Sequence, residues 1–135
     1  MNAVMQELAH PLPTSVFRGL AGHCPACGRG QLFWKYLKVC SRCEACDEDM
    51  ARYPADDGPA YLTILLIGHL VVAPMLFFPI VWQAKTIYSV PIILGTVAVV
   101  TLMALPRIKG GWIGLMYALG VRDTEARLHT ADAAD

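Results

Sequence analysis

Hydrophobic and polar positions separate into two halves along this chain, and the boundary falls at Tyr61. Residues 61–82 (YLTILLIGHLVVAPMLFFPIVW) run for 22 positions without a charge, and residues 86–105 (TIYSVPIILGTVAVVTLMAL) run for another 20. At about 1.5 Å of rise per residue, the first run reaches roughly 33 Å as a helix, enough to cross a hydrocarbon core. Only Gln83, Ala84 and Lys85 lie between the runs, which predicts an antiparallel hairpin of two membrane helices with a tight connection. Pro74, Pro79 and Pro91 fall inside the runs and predict kinks, which membrane helices tolerate better than soluble ones. Neither run reads as a signal peptide, because 60 residues precede the first and both are too long.

A third apolar stretch, GGWIGLMYALGV at residues 110–121, has 12 positions, too few to span. Arg107 and Lys109 precede it, and Trp112 and Tyr117 supply interfacial rings. It therefore reads as a segment at 107–121 lying on the membrane surface, with a re-entrant segment as the alternative. The predicted organisation is a flexible leader at 1–17, a small domain at 18–58, a transmembrane hairpin at 59–106 (helices 61–82 and 86–105), the interfacial segment and a flexible tail at 122–135. Residues 15–20 (SVFRGL) offer one amphipathic turn or two. Asp56, Asp57, Gly58 and Pro59 mark a turn and a helix start before the first run; a capping role outweighs an acid–base pair.

Composition and charge sharpen this picture. Hydrophobic residues make up 56% of the chain and the mean hydropathy is +0.45, high for a soluble protein. Formal net charge is zero, so no basic excess suggests a nucleic-acid surface. Six Lys and Arg precede Tyr61, one (Lys85) lies in the connection, and Arg107, Lys109, Arg122 and Arg127 follow the second run. Positive charge stays with the cytoplasm, so both termini and the small domain are expected on the cytoplasmic side.

The small domain carries the chemistry. Cys24 and Cys27 form C-P-A-C, and Cys43 and Cys46 form C-E-A-C after 15 intervening residues. Two such pairs at this separation have zinc-ribbon spacing. Each pair turns tightly enough to present two thiolates, and two turns complete a tetrahedral site. Pro25 fixes one backbone angle of the first turn and Gly28 can close it in the left-handed conformation. Asp47 stands at the matching position of the second turn; aspartate visits that conformation more easily than most residues, at some cost, which predicts the weaker half of the site there. An all-cysteine site favours zinc, with iron second. Arg29, Lys35, Lys38 and Arg42 lie between the pairs and are candidates to offset its charge. Residues 32–39 (LFWKYLKV) supply the ribbon arms, with Phe33, Trp34 and Tyr36 as rings for the metal site, the bilayer interface or a partner.

Cys40 makes the cysteine count odd at five. A register pairing Cys40 with Cys43 would strand Cys46, so Cys40 reads as a spare thiol. His23 replaces a ligand only with distortion. A closed four-thiolate site has no open position for substrate, so it is structural; thiol redox chemistry by the C-x-x-C pairs is the alternative. Among the spans, His69 is the one histidine. It is a candidate proton relay, haem or metal ligand, or polar contact, although a packing hydrogen bond to a neighbouring helix is the plainer reading. Gly68 and Gly95 offer close approach to partner helices. No P-loop, nucleophile elbow or zinc-protease helix occurs, so no enzyme activity is expected.

The order CPACGRGQLFWKYLKV, CEAC, DDGPAY, the Gly68-His69 pair and LPRIKGGWIGLMYAL resembles the domain-of-unknown-function 983 family of small bacterial membrane proteins with a predicted zinc ribbon. The resemblance runs from about Arg18 to Leu119; Asp47, where the family usually has glycine, and the additional Cys40 depart from it. Members in alphaproteobacteria are often encoded among cytochrome c oxidase subunit and assembly genes. The resemblance thus implies a non-enzymatic accessory subunit or assembly factor of that respiratory complex, with oxidase subunits or assembly factors as partners. A metal or haem delivery factor is the alternative.

Overall fold

The computed structural model describes residues 11–55 and 57–122. In chain order it contains α1 (Leu12–Leu20), β1 (Phe33–Lys35), β2 (Lys38–Val39), a 3-10 turn (Met50–Arg52), α2 (Asp57–Ile67), a π turn (Gly68–Val72), α3 (Ala73–Phe77), α4 (Pro79–Gln83) and α5 (Thr86–Leu119). The stretches Asp57–Phe77 and Thr86–Leu119 are long and apolar enough to cross a membrane. Their most apolar windows are 11% and 0% buried. A core helix of a water-soluble domain would instead hide such a surface.

Prolines set the boundaries of the first stretch. Asp57 and Pro59 open α2, where a carboxylate suits the positive helix end and proline has no needed N–H to lose. Pro74 removes a donor and crowds the carbonyl four residues back. The helix widens just upstream into the π turn, where the Ala73 N–H reaches the Gly68 carbonyl. Pro79 forces Phe78 out of the helical region, to ψ 122°. The helix predicted over 61–82 is therefore displaced: it starts at Asp57, ends at Phe77, and residues 79–83 form a separate turn. Across that break the Trp82 indole donates to the Leu76 carbonyl at 2.9 Å.

The second stretch departs further from expectation. Residues 86–105 and the separate segment expected at 107–121 form one helix of 34 residues, with Pro91 and Pro106 inside it. Proline at 106 cannot donate to the Leu102 carbonyl, and the Tyr36 hydroxyl donates to that carbonyl instead. Beyond Pro106 the helix enters the small domain, burying Gly110, Gly111, Ile113, Gly114, Tyr117 and Ala118. It stops at Gly120, whose φ of 67° lets the Val121 N–H reach the Met116 carbonyl at 3.0 Å.

This continuation has a physical reason. A domain of about 40 residues cannot bury enough apolar surface by itself. Leu32, Val39, Met50 and Tyr53 share their core with Ile113 and Tyr117 of α5. The Trp112 indole donates to the Pro54 carbonyl at 2.9 Å, and the Tyr53 and Tyr117 rings meet edge-on with centroids 5.8 Å apart.

The expected flexible leader is also corrected over its last residues, because α1 spans Leu12–Leu20 and lies on α5; residues 1–10 lie outside the described residues. The two helices cross at backbone contact. A Cβ on Gly19 would sit 2.0 Å from the Gly110 carbonyl oxygen, and one on Gly114 would sit 2.3 Å from that of Ser15. By contrast nothing within the described chain comes within 4 Å of a Cβ at Gly68 or Gly95. Of the expected tail, Arg122 is described and places its guanidinium 3.4 Å from Glu48; residues 123–135 lie outside the described residues.

Candidate metal centre

Two turns of near-identical backbone build the site. In the first, the Gly28 N–H donates to the Cys24 carbonyl at 2.8 Å; in the second, the Asp47 N–H donates to the Cys43 carbonyl at 2.9 Å. Gly28 has φ 68° and Asp47 has φ 59°, so the aspartate adopts the left-handed geometry that glycine takes freely. Its carboxylate meets Arg42 at 3.1 Å, an exposed contact that offers little stability. Isolated bridges between His23 and Gln31 and between Arg42 and Asp49 anchor the turns.

The four sulfurs converge. All lie within 4.8 Å of one another, with Cys24 to Cys46 and Cys27 to Cys43 both at 3.7 Å. A tetrahedron with metal–sulfur bonds of about 2.3 Å has edges of about 3.8 Å, so the donor set fits a four-coordinate ion such as zinc. These spacings far exceed the ~2.05 Å of a disulfide, and all five cysteines are free. Cys24 and Cys43 are buried, Cys27 is half-buried and Cys46 is exposed. Gly30 has a packing role here, since a Cβ on it would lie 2.3 Å from the Cys43 sulfur.

The thiols differ in acidity. Burial pushes Cys24 up, and partial desolvation of the sulfur by the neighbouring turn raises the otherwise exposed Cys46. The backbone N–H of Gly30, helped by that of Arg29, pulls Cys27 down to about 6. Binding as thiolates requires Cys24 and Cys46 to release protons, so metal affinity must fall as pH falls. Cys27 is already ionised at neutral pH and adds its own proton competition only below about 6. Retention against a competing dye, corrected for the dye's protonation, is expected to weaken steadily from pH 8 to about 6 and more steeply below it. A flat profile would contradict the thiolate assignment.

Arg18 is the residue that sequence reasoning missed. Its guanidinium donates to the Ala26 carbonyl at 3.0 Å and the Pro25 carbonyl at 3.4 Å, clamping the first turn from α1. Of the cations expected to offset the thiolate charge, Lys35 and Lys38 lie over the Trp34 ring and Arg42 pairs with Asp47. The readable signal was a matched pair of small-residue spacings. Ser15 and Gly19 on α1 face Gly114 and Gly110 on α5, and this crossing delivers Arg18 to the turn. Arg18→Gln is expected to speed metal loss to a chelator by roughly tenfold, from about 1.5 kcal/mol of lost charge-assisted hydrogen bonding; stopped-flow metal transfer measures it.

Cys40 and His23 lie outside the four-sulfur group. Burial raises the Cys40 thiol, and Glu44 and Cys43 add to the effect. His69 sits in the π turn, exposed, with Nδ1 at 2.9 Å from the Leu65 carbonyl. A carbonyl only accepts, so Nδ1 is the donor in this contact.

Among known proteins, the family described as "Protein of unknown function (DUF983)" matches residues 33–117. The match includes Cys43 and Cys46 but starts after Cys24 and Cys27. No curated protein and no solved structure matches the chain.

Proposed function

The chain belongs to the DUF983 family of proteins of unknown function, and on that premise we propose a non-enzymatic membrane interaction protein. Its two apolar stretches form a transmembrane hairpin in the bacterial inner membrane. Both termini and a zinc-ribbon domain face the cytoplasm, a reading supported by the Lys and Arg distribution. The observation that carries this reading is the convergence of four sulfurs within 4.8 Å of one another. Once filled, such a site has no position for water or substrate, which argues for a structural ion.

Zinc in this role supplies folding free energy rather than reactivity. The chain's own residues hold the ribbon to α5 through Ile113, Tyr117 and Trp112. The ribbon is thereby a rigid extension of a membrane helix, suited to presenting a contact surface to a partner complex. Cytochrome c oxidase, joined as an accessory subunit or served as an assembly factor, is the partner we propose from the family resemblance.

Co-purification from native membranes in mild detergent, with metal analysis of the same sample, tests this. About one zinc per chain with near-stoichiometric oxidase subunits supports the accessory role. Oxidase precursors or assembly factors support the assembly role. Absence of oxidase components under conditions that preserve the oxidase rejects that partner. A delivery factor for metal or haem is the second reading, favoured by the His69 ring on an exposed helix surface, held through Nδ1 to the Leu65 carbonyl. Loss of haem absorbance in a His69→Leu variant would select it.

A further inference from the structure

The β1–β2 hairpin is built around an exposed tip that no other part of the proposed function uses. Trp34 is 43% and Tyr36 is 55% exposed. The Lys35 and Lys38 ammonium groups lie 5.0 and 5.5 Å from the Trp34 ring centroid. Neither lysine has a carboxylate partner among the described residues. Between them Leu37 has φ 62°, a left-handed conformation that leucine keeps only where its surroundings impose it. Lys109 of α5 imposes it, donating to the Leu37 carbonyl at 3.0 Å.

The height of this tip along α5 is what matters. Tyr36 reaches the Leu102 carbonyl, which lies inside the uncharged run that ends before Arg107. Leu102 is five residues, or about 7.5 Å of helix rise, to the apolar side of Arg107. If α5 crosses a bilayer, the hairpin tip cannot remain in bulk water. It enters at the level where tryptophan and tyrosine rings are most stable, with two unpaired ammonium groups beside them.

We infer that this hairpin is a wedge in the cytoplasmic leaflet that binds the headgroup of an anionic phospholipid. Lys35 and Lys38 meet the phosphate, while Trp34 and Tyr36 lie among the glycerol and upper acyl groups. The inference rests on the membrane reading of α5. The shared height of rings, cations and apolar helix favours a lipid over an acidic protein, which would need to reach that depth itself.

Native mass spectrometry of the full, zinc-loaded chain in detergent tests this with phosphatidylglycerol and phosphatidylcholine at equal concentration. Phosphatidylglycerol is expected to be retained roughly twentyfold better, with each of Lys35→Gln and Lys38→Gln lowering the preference by about fivefold. The double variant is expected to show near parity at unchanged zinc content, which excludes misfolding of the ribbon. Equal retention by the unmodified chain overturns the proposal, as does an undiminished preference in the double variant. Displacement of the lipid by millimolar inorganic phosphate would assign the site to a free anion instead. Loss of a co-purifying protein from the double variant, with lipid preference intact, would assign it to an acidic protein. Alkaline carbonate extraction separates the two levels of inference: a chain that stays in the membrane without lipid preference overturns the wedge alone, and a released chain overturns the membrane reading with it.

Discussion

In a Cys43→Ser variant, metal content is expected to fall from about one ion per chain to near zero, and amide exchange across residues 22–55 to approach unprotected rates. Cys43 is buried, its sulfur is 3.7 Å from that of Cys27, and its backbone carbonyl closes the second turn. Structural zinc sites contribute roughly 10–16 kcal/mol in small peptides, as much as the whole stability of an ordinary domain. The apolar core shared with α5 offers only part of that. Cys40→Ser is the matched control, expected to keep the metal. The opposite pattern, metal lost with Cys40→Ser and kept with Cys46→Ser, would mean that the second turn uses the other register. Metal analysis with hydrogen exchange on the full chain distinguishes these outcomes.

A Gly110→Ala variant is expected to separate α1 from α5 at a cost of about 3 kcal/mol, the upper part of the range for overpacked sites. The added Cβ would lie 2.0 Å from the Gly19 carbonyl oxygen. That obstacle is backbone and cannot rotate away as a side chain would. Separation also withdraws Arg18 from the Pro25 and Ala26 carbonyls, so metal loss to a chelator accelerates although no ligand has changed. Gly114→Ala, facing the Ser15 carbonyl oxygen at 2.3 Å, is expected to behave alike. Gly95→Ala has open space within the chain and is expected to shift stability by less than about 1 kcal/mol. Hydrogen exchange over residues 12–20 reads the separation directly. If α1 stays protected in Gly110→Ala, the close crossing does not hold the helix.

The two glycine-rich spacings also explain where reading the chain linearly failed. The stretch at 110–121 is apolar, short and preceded by charge, and those features suit a segment lying on a membrane. They suit equally a helix end that leaves the bilayer and enters a small domain. Local composition cannot choose, because the deciding contacts come from Leu12–Leu20 and from Leu32 and Tyr53, far away along the chain. Pro106, inside α5, is likewise decided at a distance. Proline usually ends a helix because a carbonyl loses its donor, and here the Tyr36 hydroxyl meets that carbonyl from 66 residues away.

The sequence by itself determined the parts of this protein governed by neighbours along the chain. Uncharged length locates two stretches able to cross a membrane, and the C-x-x-C spacing marks two local turns, each followed by a left-handed residue, Gly28 and Asp47. The tertiary structure alone decided how these parts are joined. It made α5 one helix from Thr86 to Leu119, laid α1 across it, and brought Arg18 to the first cysteine turn. The reason is burial: a ribbon this small completes its core only with side chains from elsewhere, and which surface fits is settled by shape in three dimensions.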